Sequence, residues 1–172
     1  MKKVIGYVST KDLGTLKEQD IKNLDVINIA FGLIERHRVV WDSCGNEEYL
    51  PKIREINPDI KIVLSVGGWG ADGFSQAART EEGRALFAVS AVSLVETYGL
   101  DGIDIDWEYP GTSLAGIGSH VNDKENYTLL LKALRESLNH MEGEKSLSVA
   151  VGGDVYFALQ TDMKAASKYL DY

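Results

Sequence analysis

A chain of 172 residues with 26 acidic and 18 basic side chains has a formal net charge of −8, and its lysines and arginines nowhere cluster. That balance argues against nucleic acid or an anionic membrane as a partner, since both are held by dense positive charge. No run approaches the roughly 18 apolar residues of a membrane span, and the single cysteine, Cys44, excludes an intrachain disulfide.

The chain opens on Met1-Lys2-Lys3 and an apolar stretch that ends by Ser9, shorter than the roughly 7 to 15 residues of a secretory signal core. No export signal is read there, and localisation stays open. The stretch Val4–Ser9 is read instead as a first β-strand. Further short runs rich in Val and Ile follow at Val26–Ile34, Ile60–Val66, Gly102–Trp107 and Leu147–Val151. Near-continuous apolar runs of this length suit strands covered on both faces.

Helical patterns lie between the strands. Trp41 falls in an excursion after the second strand and carries no assigned role. Thr80 is a candidate N-cap, with Glu81 and Glu82 near the positive end of the helix dipole. Behind it Ala85, Ala88, Val89, Val92 and Val95 recur at spacings of three and four. The next helix carries the stripe Tyr127, Leu130, Leu131, Leu134, Leu138 and Met141, with Asp123 as the expected cap. A shorter helix is expected from Gln160 to Lys168. The glycine-rich stretch 111–119 between them reads as a loop, either a mobile gate or a plain turn. His37, His120 and His140 show no ligand or triad spacing and are expected at the surface.

Strands alternating with helices indicate an α/β protein with a parallel sheet. Two architectures fit. A doubly wound sheet would be complete with five strands, but Gly6-Tyr7-Val8-Ser9-Thr10 stands where its phosphate-binding glycine loop belongs. A (β/α)8 barrel places catalytic groups at the C-terminal ends of its strands, where Ser65, Asp104, Asp106 and Glu108 fall.

The decapeptide Asp101-Gly-Ile-Asp-Ile-Asp-Trp-Glu-Tyr-Pro110 carries most of the functional information. Successive side chains of a strand point to opposite faces. Ile103, Ile105 and Trp107 therefore take one face, while Asp104, Asp106 and Glu108 line the other. Like charges in a row make one another harder to ionise and are costly to desolvate, so packing alone does not account for them. Trp107 has the opposite parity from the acids and belongs with the helix layer. Asp101 is out of phase with the row and is read as a supporting residue that bonds backbone at the strand entry. Trp69, Phe31 and Tyr109, with Gly68 beside them, lie near strand ends and are candidate liners of a ligand site. A calcium-loop reading of the acids fails, because the run forms a strand and lacks the polar residues and sixth-position glycine of such a loop. No metal and no cofactor are expected.

The pattern Asp-x-x-Asp-x-Asp-x-Glu, filled by Asp101, Asp104, Asp106 and Glu108, resembles the signature of family 18 glycoside hydrolases, the chitinases and related endo-β-N-acetylglucosaminidases. Ser65-Val66-Gly67-Gly68-Trp69 resembles the segment that ends that family's third barrel strand. The resemblance runs from Val4 to Tyr172 and implies a TIM-type (β/α)8 barrel. It also implies a retaining mechanism in which the substrate's own 2-acetamido group is the nucleophile, an exception to the two-carboxylate scheme. Glu108 would be the general acid and then the base, Asp106 would orient the acetamide, and Asp104 would share a proton with Asp106. Ser65 and Tyr7 would support the lower aspartate. The implied partner is a polysaccharide or oligosaccharide containing N-acetylglucosamine, with chitin favoured by the Trp107-Glu108-Tyr109-Pro110 ending over peptidoglycan or N-glycans. A lectin-like barrel that binds oligosaccharide without cleaving it is the rival, and the presence of Glu108 speaks against it. A barrel needs about 250 residues, so residues 1–172 are expected to be the N-terminal five βα units of one catalytic domain, ending before a sixth strand. The exposed edges Val4–Ser9 and Leu147–Val151 would then invite self-association.

Overall fold

The computed structural model describes residues 2–172. Five parallel strands form the sheet: β1 (Ile5–Ser9), β2 (Val26–Glu35), β4 (Lys61–Gly67), β5 (Gly102–Asp106) and β6 (Ser146–Val149). A short strand, β3 (Arg38–Val40), folds back antiparallel on the end of β2. The parallel strands lie side by side in chain order, β1-β2-β4-β5-β6. A doubly wound sheet reverses its strand order at a switch point. Unreversed order, with helices between successive strands, is the arc of a barrel wall.

The helices are α1 (Glu18–Asn23), α2 (Tyr49–Ile56), α3 (Phe74–Ala78), α4 (Glu81–Thr97), α5 (Asp123–Leu138), α6 (Val155–Leu159) and α7 (Met163–Ala166). The five expected strands appear within two residues of the ends read from sequence. The excursion after the second strand is a hairpin. Glu35 pairs with Arg38, and Arg36 and His37 between them both have positive φ, the backbone that a two-residue turn with the twist of its strands demands. Trp41 follows it into the core, where its indole N–H donates to Thr10 Oγ1 at 2.9 Å and its ring meets Tyr98 edge-on.

Three helix expectations need correction. In α4 the buried residues are Gly83, Phe87, Ala88, Ala91 and Val95, whereas Ala85 and Val89 are exposed. The helix is apolar nearly all round, so periodicity did not orient it. What orients it is the packing of Phe87 against Phe74 and the close approach at Gly83, where a Cβ would lie 2.4 Å from Ala77 O. In α5 the cap position belongs to Asn122, and Asp123 is the first helical residue. Its wholly buried carboxylate turns back to accept from Ser75 Oγ at 2.9 Å and from His120 N at 2.6 Å. The stripe from Tyr127 to Leu138 is buried as expected. The helix expected over Gln160–Lys168 is split. Gln160 ends α6, and Asp162, accepting from Ala165 N at 3.0 Å, opens α7. An aspartate satisfies free N–H groups at a helix start better than it serves inside one.

Apolar residues of β2, β4 and β5 that face the helices join α4 and α5 in one core, with Ile27, Ile29, Ile62, Leu64, Ile103 and Ile105 fully buried. Beyond β6, Asp171 N donates to Leu147 O at 2.9 Å, so the segment after α7 returns alongside that strand.

Glycine 102 lets β5 and β6 approach: a Cβ there would lie 2.1 Å from Ser146 O. Gly102→Ala is expected to cost about 3 kcal/mol by forcing the strands apart. Gly153→Ala, with open space around it, should stay within about 1 kcal/mol on the stabilising side. Urea unfolding midpoints of the two variants check the contrast.

Candidate active site

Register brings the site together. Ser9, Ala30, Ser65, Asp104 and Ser148 are successive partners across the five parallel strands, and in a strand ladder partners share a face. Asp104 is 1 % exposed. Its Oδ2 accepts from Tyr7 Oη and Ser65 Oγ, both at 2.8 Å, and its Oδ1 accepts from Ser148 Oγ at 2.7 Å. Three donors from three strands thus converge on one buried carboxylate. Burial first, then the Asp104 charge, pushes the Tyr7 hydroxyl well up.

Asp106 lies one pleat further along the same face and is 9 % exposed. Burial, then the charges of Glu108 and Asp104, lift its carboxyl to about 7. Its carbonyl accepts from Gly68 N at 2.9 Å. The turn after β4 fits only because of its glycines. Gly67 and Gly68 have φ of 122° and 92°, and a Cβ on Gly67 would lie 2.1 Å from Asp106 O. Glu108 follows the strand end and is half-buried at the mouth.

Aromatic rings wall this end. Trp69 meets Tyr109 edge-on with centroids 6.4 Å apart, and Tyr109 stacks on Phe157 at 3.8 Å. Trp69 is 65 % exposed, Phe31 lies over Gly68, and both are open to a ligand. Sugar C–H faces pack on such rings. Trp107 points the other way, stacked on Phe74 with centroids 5.2 Å apart in the helix layer.

The other sequence-read residues fall as follows. Asp101 sits at the opposite end of β5, where it accepts from Ile62 N at 2.8 Å and pairs with Arg54 at 2.9 Å. The loop 111–119 is tethered, with Gly118 N on Asp72 Oδ1 at 2.9 Å and Ile117 buried. Among the described residues no group of three or more His, Cys, Asp or Glu could hold a metal ion. Sequence reasoning missed Ser148, Phe157 and Asn28. Asn28 is buried on β2 as the register partner of Tyr7, and its Oδ1 has no partner among the described residues. Ser148 and Asn28 carry no motif, and only strand register reveals them. Phe157 stands three residues beyond Asp154, and no spacing in the sequence marks it.

A sequential parallel sheet with an acidic row at the carboxyl end of its fourth parallel strand is the wall of a (β/α)8-type barrel, with acids at the end where such barrels carry their sites. The family model for glycosyl hydrolases family 18 matches residues 3–172, and the chain belongs to that family. It is 39 % identical over 140 residues to chitinase A1 of Niallia circulans, a match spanning 77 % of this chain and 20 % of that protein. Among solved structures it is similar to a family 18 N-acetylglucosaminidase from Paenibacillus barengoltzii, at 43 % identity and a TM-score of 0.96, over 99 % of this chain and 52 % of that one. It is also similar to the chitinase domain of the spore coat protein CotE from Clostridium difficile, at 35 % identity and a TM-score of 0.89, over 100 % and 48 % of the two chains. The chain thus spans about half the length of these solved relatives and a fifth of the curated chitinase.

Ser65 is fully buried and its hydroxyl serves Asp104, whereas Trp69 is largely in solvent. Ser65→Ala should therefore lower stability by about 1 to 3 kcal/mol, and Trp69→Ala should leave it within about 0.5 kcal/mol. Chemical denaturation measures both.

Proposed function

We propose that this chain supplies the catalytic strand of a retaining glycoside hydrolase that cleaves β-1,4 linkages between N-acetylglucosamine units of chitin or chito-oligosaccharides. The observation that carries the reading is the row itself: Glu108 at the open end, Asp106 beneath it with its carboxyl lifted to about 7, and Asp104 tied down by three hydroxyls. Likeness to proteins named as chitinases supports the substrate class.

In this reading Glu108 gives its proton to the glycosidic oxygen, and the leaving sugar departs with the bonding electron pair. The acetamido carbonyl oxygen of the retained sugar attacks the anomeric carbon and forms an oxazolinium ring. Asp106, in its ionised form, accepts from the acetamido N–H and balances the positive charge on that ring. Water then adds to the same carbon from the face the leaving group vacated, surrendering its proton to Glu108. Two inversions give net retention. Trp69, Tyr109 and Phe31 hold sugar faces, while Tyr7 and Ser65 keep Asp104 in place.

We also propose that residues 1–172 are the first five βα units of one barrel domain. Among the described residues no further strand flanks β1 or β6, although Asp171 already bonds Leu147 at the outer side of β6, and relatives of about twice the length support further units there. The same edges are where two copies of this chain would associate, and light scattering on the isolated chain separates the two readings. A second mode of action has its own support. The 43 % identity to a protein described as an N-acetylglucosaminidase favours release of single sugars from chain ends.

Chitotetraose incubated with the chain and with Glu108→Gln, and followed by mass spectrometry, tests the reading. Hydrolysis by the unaltered chain should fall by about 100-fold or more in the variant, with oligosaccharide binding retained. Turnover that survives the substitution contradicts the acid assignment. Binding without turnover in both proteins supports the lectin-like alternative, and N-acetylglucosamine as the first product supports action at chain ends.

A further inference from the structure

The dipeptide Leu-Asp occurs three times in the chain, at Leu24-Asp25, Leu100-Asp101 and Leu170-Asp171. All three lie at the entry end of the sheet, away from the acidic row, and all three make the same pair of bonds. The aspartate carboxylate accepts from the backbone N–H of a residue at the start of the preceding strand. Its own N–H donates to the carbonyl of that same residue. Asp25 does this with Val4 at 2.7 and 2.9 Å, Asp101 with Ile62 at 2.8 and 2.7 Å, and Asp171 with Leu147 at 2.8 and 2.9 Å. The leucine of each pair packs into the core.

An arginine from the helix layer joins two of the three. Arg54 of α2 donates to Asp101 Oδ2 at 2.9 Å, to Ile60 O just before β4, and to Gly99 O two residues before Asp101. Arg135 of α5 donates to Asp171 Oδ2 at 2.6 Å, to Lys145 O just before β6, and to Tyr169 O two residues before Asp171. The two sets correspond position for position. The ladders in between start differently. Ile60 precedes β4 and Lys145 precedes β6, and these ladders open on backbone bonds alone, Lys61 N to Asp25 O and Ser146 N to Asp101 O.

We propose that Asp25, Asp101 and Asp171 are register latches that divide the sheet into two-strand units: β1 with β2, β4 with β5, and β6 with the segment that opens at Asp171. Arg54 and Arg135 tie the second and third units to the helices ahead of them. The inference goes beyond the hydrolytic reading and does not depend on it. Each latch sits one residue before the first rung of its ladder, Ile5 with Val26 and Val63 with Gly102. A slip by one residue would turn every side chain to the wrong face, and it would also break both bonds of the latch. Bonds to a carboxylate are roughly twice as strong as neutral ones, so the correct register gains what a backbone ladder alone does not supply.

Amide hydrogen exchange, followed residue by residue by NMR in the unaltered chain, Asp25→Ala, Asp101→Ala and Arg54→Met, tests the proposal. Asp25→Ala should speed exchange of the amides that bridge β1 and β2 about tenfold more than those that bridge β4 and β5, the equivalent of one lost charge-assisted hydrogen bond. Asp101→Ala should show the reverse bias. Arg54→Met should act on the same amides as Asp101→Ala, and the double variant should add little, because both changes open one latch. Should Asp101→Ala fail to fold, Asp101→Asn, which keeps an acceptor oxygen without the charge, should show the same bias at smaller size. Exchange that rises equally in both ladders, or in neither, overturns the division into units. Strict additivity of Arg54→Met and Asp101→Ala overturns the place of the arginine in the latch.

Discussion

Everything in this structure is arranged around a buried carboxylate that is paid for with hydroxyls. Asp104 lies inside a parallel sheet, with Asp106 further along its own strand and Glu108 just beyond the strand end. An isolated buried charge costs several kcal/mol or more, and among the described residues no lysine or arginine is bonded to this one. Its compensation comes from three neutral donors on three different strands: Tyr7 on β1, Ser65 on β4 and Ser148 on β6. Hydroxyls stabilise the charge without cancelling it. The field of Asp104 therefore persists at Asp106, and together with burial and Glu108 it holds a proton there near neutrality.

That requirement sets constraints on the rest of the wall. The three donors reach Asp104 only if β1, β2, β4, β5 and β6 keep one register, and the sheet is parallel and sequential throughout. Gly102 lets β6 come close enough to deliver Ser148, and Gly67 lets the end of β4 turn over Asp106 O. The second of these carries a positive φ that side chains resist. On the other face Ile103, Ile105 and Trp107 are locked into the helix layer, so the strand cannot slip by one residue without exchanging its acids for its core. Asp101, paired with Arg54 and bonded to Ile62 N, fixes the strand at its entry. The acidic row is thus held by packing behind it and by hydrogen bonds at both sides.

Much of this was legible in the chain, for identifiable reasons. Alternation along Gly102–Trp107 separates acids from core because a strand has a period of two, and the five strands announce themselves as β-branched runs. The stripe of α5 is legible because its other face is polar. Legibility fails where tertiary contact decides. The apolar α4 could be turned several ways until Phe74 and Ala77 chose its buried face. Asp123 looked like a helix cap because its neighbourhood in sequence is a helix start, but the donors it serves come from Ser75 and the loop at His120. Ser148 and Asn28 acquire meaning only through the partners opposite them in the sheet. Phe157 joins the aromatic wall only because α6 folds back over Tyr109.

The central claim is that the row places a buried proton on Asp106 at the expense of stability. A carboxyl whose folded pKa is raised above its unfolded value binds more protons in the folded state between those two values. Stability therefore falls as pH rises from about 4 to about 7 and then levels off. Asp106→Asn removes that titration while keeping shape and polarity. The direct measurement is the unfolding free energy of the unaltered chain and of Asp106→Asn, by urea titration from pH 4 to pH 9. The account predicts that the variant gains on the unaltered chain as pH rises across that window, with no further gain above pH 8. A difference between the two proteins that does not change with pH would contradict it.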